Sequence, residues 1–184
     1  MITAGRLRLR HIETADLPHL AGWINDPTVR AGIGPYLPRS VPNQVKWFEK
    51  MLALPPDEQW FVIEVQEGGA WQMIGNCGFF AIDRHAQTVE VGIMIGERAR
   101  WGQGYGTKTM LLLNELAFNT LNVNRIFLRV NENNLGAIRC YEKAGYRHEV
   151  RQRQAALVNG NYIDLLIMGT VRDEWLADKM RLSE

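Results

Sequence analysis

Three glycines fall within five positions of "RWGQGYGTKTML", residues 100–111, just before an apolar helical pattern. Glycine in a helix costs about 0.5–1 kcal/mol against alanine, so this spacing asks for bare backbone. Unpaired N–H groups and about half a positive charge gather at a helix start. Glycines let successive N–H groups face one concavity and let a phosphate come close. Gln103, Gly104, Tyr105, Gly106 and Thr107, with Gly102 before them, would then donate to an anion such as a pyrophosphate. A glycine-rich turn ahead of a buried helix accounts for the same residues equally well. The stretch is no GxxxxGK[ST] loop, and a dinucleotide fingerprint wants an acidic residue about 20 positions on, where Val123 stands.

A second segment, "VNENNLGAIRCYEKAGY" at 130–146, sets Asn134, Ala137, Ile138 and Tyr141 on one helical face, with Asn134 as a candidate N-cap. Cys140 sits about 100° off Tyr141's face and has no histidine near it in sequence, so it makes a poor nucleophile. His11, His19, His85 and His148 are scattered without metal-ligand spacing, and no metal site is expected.

Alternating and helical periodicities supply the elements that must position these residues. Strands are expected at 6–12, 60–66, 71–83, 88–96, 125–130, 146–156 and 162–171. Helices are expected after Thr14, over 43–54, 108–121, 134–145 with Gly145 as stop, and 172–181. The stretch 27–42, with four prolines and two glycines, reads as a loop, and Asn159-Gly160 as a tight hairpin turn. Interspersed strands and helices predict an α/β (α+β) fold, a mixed sheet flanked by helices, in one domain over 1–184.

A net charge of +1 offers no bulk electrostatic case for nucleic acid or an anionic membrane. No run approaches 18 apolar residues, and the first 20 residues carry no apolar leader segment. Two distant cysteines, Cys77 and Cys140, form no disulfide framework, so a reducing, cytoplasmic setting is expected.

Together, "WGQGYGTKTML" and "NENNLGAIRCYEKAGY" resemble the acetyl-CoA-binding motif and the following motif of the GNAT superfamily of N-acetyltransferases. "LRLRHIETADLPHLAGWINDPTVR" and "NGNYIDLLIMG" look like the RimJ/RimL branch and its spermidine acetyltransferase-like relatives, so the likeness spans roughly residues 6–171. It implies a mostly antiparallel twisted sheet of about seven strands with a splayed central pair. One position departs: the superfamily pattern (Arg/Gln)-x-x-Gly-x-(Gly/Ala) puts its first residue on Trp101, leaving Arg98 or Arg100 to supply the charge.

The resemblance implies acetyl-CoA as donor substrate and direct transfer to a primary amine in a ternary complex. A lysine-like amine, with a pKa of about 10.4, is neutral only about once in a few thousand molecules at pH 7, so its proton needs a way out. Tyr141 would serve the leaving sulfur as acid or hydrogen-bond donor, and Glu90 would handle the amine's proton, directly or through water. Backbone groups at Ile93, Met94 and Ile95 would pair with the pantetheine arm and polarise the acetyl carbonyl, and Asn134 and Ala137 would meet the same arm. Trp23, Asp26, Tyr36 and Trp47, with Trp60 more a core residue, are candidates for the acceptor site. Glu49, Asp57 and Glu58 read as solvated charge, not as an acidic cluster for a polyamine. The acceptor stays open among a protein N-terminus, a polyamine and another small amine. The alternatives are an aminoglycoside or amino-sugar acetyltransferase, or a non-catalytic CoA-binding regulatory domain. A homodimer is compatible with the sequence.

Overall fold

Residues 1–34 and 37–181 are described in a computed structural model of the chain. A three-residue strand, β1 (Ile2–Ala4), precedes β2 (Leu7–His11), whose alternating Leu7 and Leu9 are both buried. Helices α1 (Leu17–Asn25), α2 (Pro27–Arg30) and α3 (Val41–Leu52) follow. Next come the long strands β3 (Phe61–Glu67), β4 (Ala70–Asp83) and β5 (Thr88–Ile95). Helix α4 (Tyr105–Glu115) runs on into a π turn over Leu116–Thr120, and β6 (Arg125–Asn131) and α5 (Leu135–Lys143) come after it. The chain then forms the hairpin β7 (Arg147–Val158) and β8 (Asn161–Val171), and ends in α6 (Arg172–Arg181).

The strands form one mixed sheet in the order β1-β2-β3-β4-β5-β6-β8-β7. Eight strands stand where the sequence suggests about seven, because β1 is too short to announce itself by alternation. The β5–β6 ladder is parallel and short, Thr88–Glu90 against Arg125–Phe127, whereas β6 pairs with β8 as far as Asn131 and Leu165. The stretch 27–42 is less of a loop than its prolines suggest. Asp26 caps α2 by accepting from Thr28 N at 2.7 Å, and Ser40 caps α3 by accepting from Asn43 N at 3.3 Å. Pro27 and Pro42 sit in first turns, where no N–H is missed.

The chain divides into two compact units, residues 1–79 with 92–105, and residues 80–91 with 106–184; β4 and β5 run through both. In the first, Ile12, Leu17, Leu20, Val29, Phe48, Met51, Val62 and Met94 form one buried cluster, against which Trp23, Trp47, Trp60 and Met73 pack. In the second, Met110, Leu113, Phe118, Ile126, Leu128 and Met168 are buried, and Trp175 stacks on Phe118 at 5.0 Å. There Asn114 accepts from the Tyr146 hydroxyl at 2.7 Å and donates to the Ala144 carbonyl at 3.0 Å, pinning the end of α5 to α4.

Candidate active site

The glycine stretch divides its labour. Gly102 and Gly104 have φ of +75° and +82°, the left-handed region that side chains avoid, and nothing lies within 4 Å of where a Cβ would stand. These two residues bend the backbone and leave open space beside it. Tyr105, Gly106 and Thr107 then open α4, whose first-turn N–H groups have no intrahelical acceptor. Bare backbone, open space and a helix N-terminus suit a pyrophosphate. Gly106 is bare for a different reason: a Cβ there would sit 3.0 Å from Cys140 Sγ on α5.

Trp101, at the position where the superfamily pattern has Arg or Gln, braces the loop. Its indole Nε1 donates to the Ile95 carbonyl at 2.7 Å, tying the loop back to the end of β5. This takes the Ile95 carbonyl as an acceptor, one of the groups expected to meet pantetheine. Gln103 Nε2 donates to the Ala99 carbonyl at 2.6 Å, a second brace inside the same turn. Arg100 is occupied: its Nη1 and Nη2 hold the two Glu67 oxygens at 2.5 and 2.6 Å. That hydrogen-bonded pairing raises the guanidinium's pKa and lowers the carboxyl's. Arg98 is exposed and lies 3.7 Å from Asp26.

At the end of β5 the backbone comes unusually close to β4. A side-chain methyl at Gly75 would fall 2.0 Å from the Met94 carbonyl oxygen, so only glycine fits. Gly96 N and Glu97 N both donate to the Ile74 carbonyl, at 2.9 and 3.1 Å. Gly96 in turn lies under the Trp23 ring, 2.1 Å from where its Cβ would be. Trp23 and Trp47 are thus half-buried members of the first unit's packing, and Trp60 joins them, edge-on to Trp47 at 6.2 Å and over Gly78. Asp26 is committed as a helix cap; hydrogen bonds from Thr28 and Val29 outweigh desolvation and hold its carboxyl below the usual range. Tyr36 lies outside the described residues.

In the second unit, Glu90 is buried, and both its oxygens are held by Arg129, Nε at 2.7 Å and Nη2 at 3.0 Å. Arg129 stands on β6 two residues past Phe127, the last rung of the β5 ladder. Asn134 caps α5, its Oδ1 accepting from Ala137 N at 3.2 Å; this leaves the Nδ2 free of that duty. Two turns on, Tyr141 is buried, its ring 6.2 Å from that of Tyr146. Burial pushes its phenol well up, so the hydroxyl keeps its proton at every physiological pH. Burial also raises the Cys140 thiol, against a smaller opposing hydrogen bond from Thr107. The sequence points to Glu90 and Tyr141 but not to Arg129; a cation at 39 residues' separation leaves no local signal.

Comparison with known proteins places the chain in a family. Residues 6–147 match the acetyltransferase (GNAT) domain family. The chain is 28% identical over 172 residues to p20, an uncharacterised N-acetyltransferase of Bacillus licheniformis, covering 92% of this chain and 95% of that one. It is 27% identical over 169 residues to the L-amino acid N-acetyltransferase AaaT of Escherichia coli K12, covering 89% and 97%. Its fold superposes on the spermidine N-acetyltransferase of Vibrio cholerae, solved with CoA and spermine, with a TM-score of 0.83 at 23% identity over 94% of this chain and 99% of that one. With the family match spanning most of its length, the chain belongs to the GNAT acetyltransferase family.

Proposed function

We propose that this acetyl-CoA-dependent N-acetyltransferase passes the acetyl group straight to the primary amine of a small acceptor within a ternary complex. Cys140 carries the case for direct transfer. An acetyl-enzyme route needs a thiolate, and this thiol is raised by burial and packed against the start of α4. Tyr141, protonated and on the helix that Asn134 caps, would give the leaving sulfur its proton. Glu90 would receive the amine's proton through water, since Arg129 already holds both its oxygens. The loop 101–107 would bind the pyrophosphate, and Asn134 Nδ2 the pantetheine arm.

Several further readings stand beside this one. The terminal sequence patterns support placement in the RimJ/RimL-like branch. The likeness to an L-amino acid acetyltransferase over most of both chains supports a small amine over a protein N-terminus. Two free cysteines, one fully buried, suit a reducing cytoplasm.

Initial rates at varied acetyl-CoA and amine test the order of events. Direct transfer gives intersecting double-reciprocal lines and full activity in Cys140→Ser. Parallel lines, or an inactive folded Cys140→Ser, would overturn it. A melting curve with saturating acetyl-CoA, against ATP and NAD, tests the donor site independently. At about 100 times Kd the midpoint should rise by roughly 5–10 °C, from about 2.7 kcal/mol of added stability.

A further inference from the structure

Among the described residues, two side-chain amide oxygens of the first unit, Gln44 Oε1 and Asn76 Oδ1, are buried with no hydrogen-bond partner. The residues are 4% and 7% exposed. Buried polar groups are nearly always satisfied, so each such oxygen needs an explanation.

Both belong to one layer. Asn76 is the Cα partner of Val62 across the β3–β4 ladder, so the two side chains share a face of the sheet. Val62 belongs to the buried cluster with Phe48 and Met51 of α3. Gln44 is one helical turn before Phe48 on that same buried face of α3. Trp47 of α3 meets Trp60, and Trp60 covers Gly78, the next residue after Asn76 on that face of β4. Beside Asn76 in sequence, Gly75 is where β4 receives the Met94 carbonyl at the end of β5. The two oxygens therefore lie in the α3–sheet layer, and Asn76 adjoins, through Gly75, the strand end whose backbone the family resemblance expects to polarise the acetyl carbonyl.

We propose that Gln44 and Asn76 accept the N–H groups of the acceptor amine, and that the acceptor is a monoamine with an apolar body. This rests on the acetyltransferase reading above. The chemistry favours amide oxygens over carboxylates at this point. A carboxylate beside an ammonium stabilises the charged form and keeps the proton on the nucleophile. An amide oxygen orients the same N–H bonds with a weaker hold on that charge. The neighbouring side chains of this layer, Phe48, Met51, Trp47 and Trp60, are apolar, and an amine held among them would be disfavoured as ammonium by desolvation. A polyamine's additional charges would want acidic partners, and Asp26, the acidic residue expected at the acceptor site, is spent on its cap and on Arg98.

Phenethylamine and spermidine, each with acetyl-CoA, are the probes. The wild type should acetylate phenethylamine with the higher kcat/KM. Gln44→Leu and Asn76→Leu should each raise its KM at least tenfold, leave the KM for acetyl-CoA unchanged, and melt no lower than the wild type. Gln44→Glu should move the acid limb of kcat/KM to higher pH, a shift that a purely structural role would not produce. Leucine variants with unchanged KM and a higher melting point would overturn the proposal, as would a preference for spermidine. Calorimetric titration of phenethylamine into the CoA-bound protein separates the two readings. Acetyl-CoA binding without phenethylamine binding overturns this proposal alone. If acetyl-CoA does not bind, the acetyltransferase reading falls; the amine titration on the free protein and its variants still decides whether these oxygens receive it.

Discussion

Arg129 closes a two-pronged hydrogen bond on Glu90, Nε to Oε1 at 2.7 Å and Nη2 to Oε2 at 3.0 Å, just past the last rung of the β5–β6 ladder. The Glu90 side chain is 7% exposed, while the arginine side chain is 53% exposed. The pair is thus a buried anion with a solvent-facing counter-charge, and hydrogen bonding to Glu90 raises the guanidinium's pKa.

If Glu90 handles the amine's proton, Glu90→Gln lowers kcat by about 10²-fold with little change in the KM for acetyl-CoA. Arg129→Met leaves a buried carboxylate without its cation, so the variant melts below the wild type. Steady-state rates check the first variant and melting curves the second. An unchanged Glu90→Gln would assign the pair to structure alone.

Gly104 and Gly106 should fail in different ways. Gly104→Val places a side chain in open space at a left-handed φ, straining the loop by about 1–2 kcal/mol and obstructing the phosphate approach. Acetyl-CoA affinity falls while the fold persists. Gly106→Val drives side-chain atoms at Cys140 Sγ, only 3.0 Å from the Cβ position, and costs about 1–3 kcal/mol of stability as well. Melting curves and CoA titrations on both variants separate the effects.

Tyr141 makes no hydrogen bond through its hydroxyl among the described residues, so Tyr141→Phe should melt at the wild-type temperature. Its kcat should fall by about 10²-fold, the ordinary worth of a positioned acid. Since burial holds the phenol protonated far into the alkaline range, the wild-type kcat should not decline from Tyr141's ionisation below about pH 10. A folded Tyr141→Phe with full activity would remove the residue from the reaction.

Acid stability should follow Asp16. Burial alone would push its carboxyl up, but Arg10, holding both oxygens at 2.7 and 2.8 Å, and the Glu13 N–H at 2.8 Å bring it below the ordinary value. A depressed folded-state pKa stabilises above the unfolded value, about pH 4, and that stability is lost as pH falls through the folded value. Asp16→Asn should therefore cost about 2 kcal/mol at pH 7, or roughly 4–8 °C in midpoint. The gap to wild type should narrow steadily below pH 4. Calorimetry across that range checks the sign.

Much of the local order is legible in residue patterns. Alternation marks β4 to within one residue of its start, and α6 spans the expected 172–181. Asn159-Gly160 makes the hairpin turn with both residues at positive φ, +49° and +79°. The helix read at 43–54 begins two residues earlier, hidden by prolines that a first turn tolerates. The helix read as continuous to 121 gives way to a π turn at Leu116–Thr120.

Residue order alone says where bare backbone meets a helix start, which helical face carries Asn134 and Tyr141, and which strand carries Glu90. All of these are periodicities or turn preferences decided within a few residues. Folding adds what residue order leaves open: Arg129 holds Glu90, Trp101 anchors its loop on the Ile95 carbonyl, Glu67 occupies Arg100, and Gln44 and Asn76 keep unpaired oxygens in one layer. Such facts depend on which groups lose water together. That is set by how distant segments pack, and no window of neighbouring residues contains it.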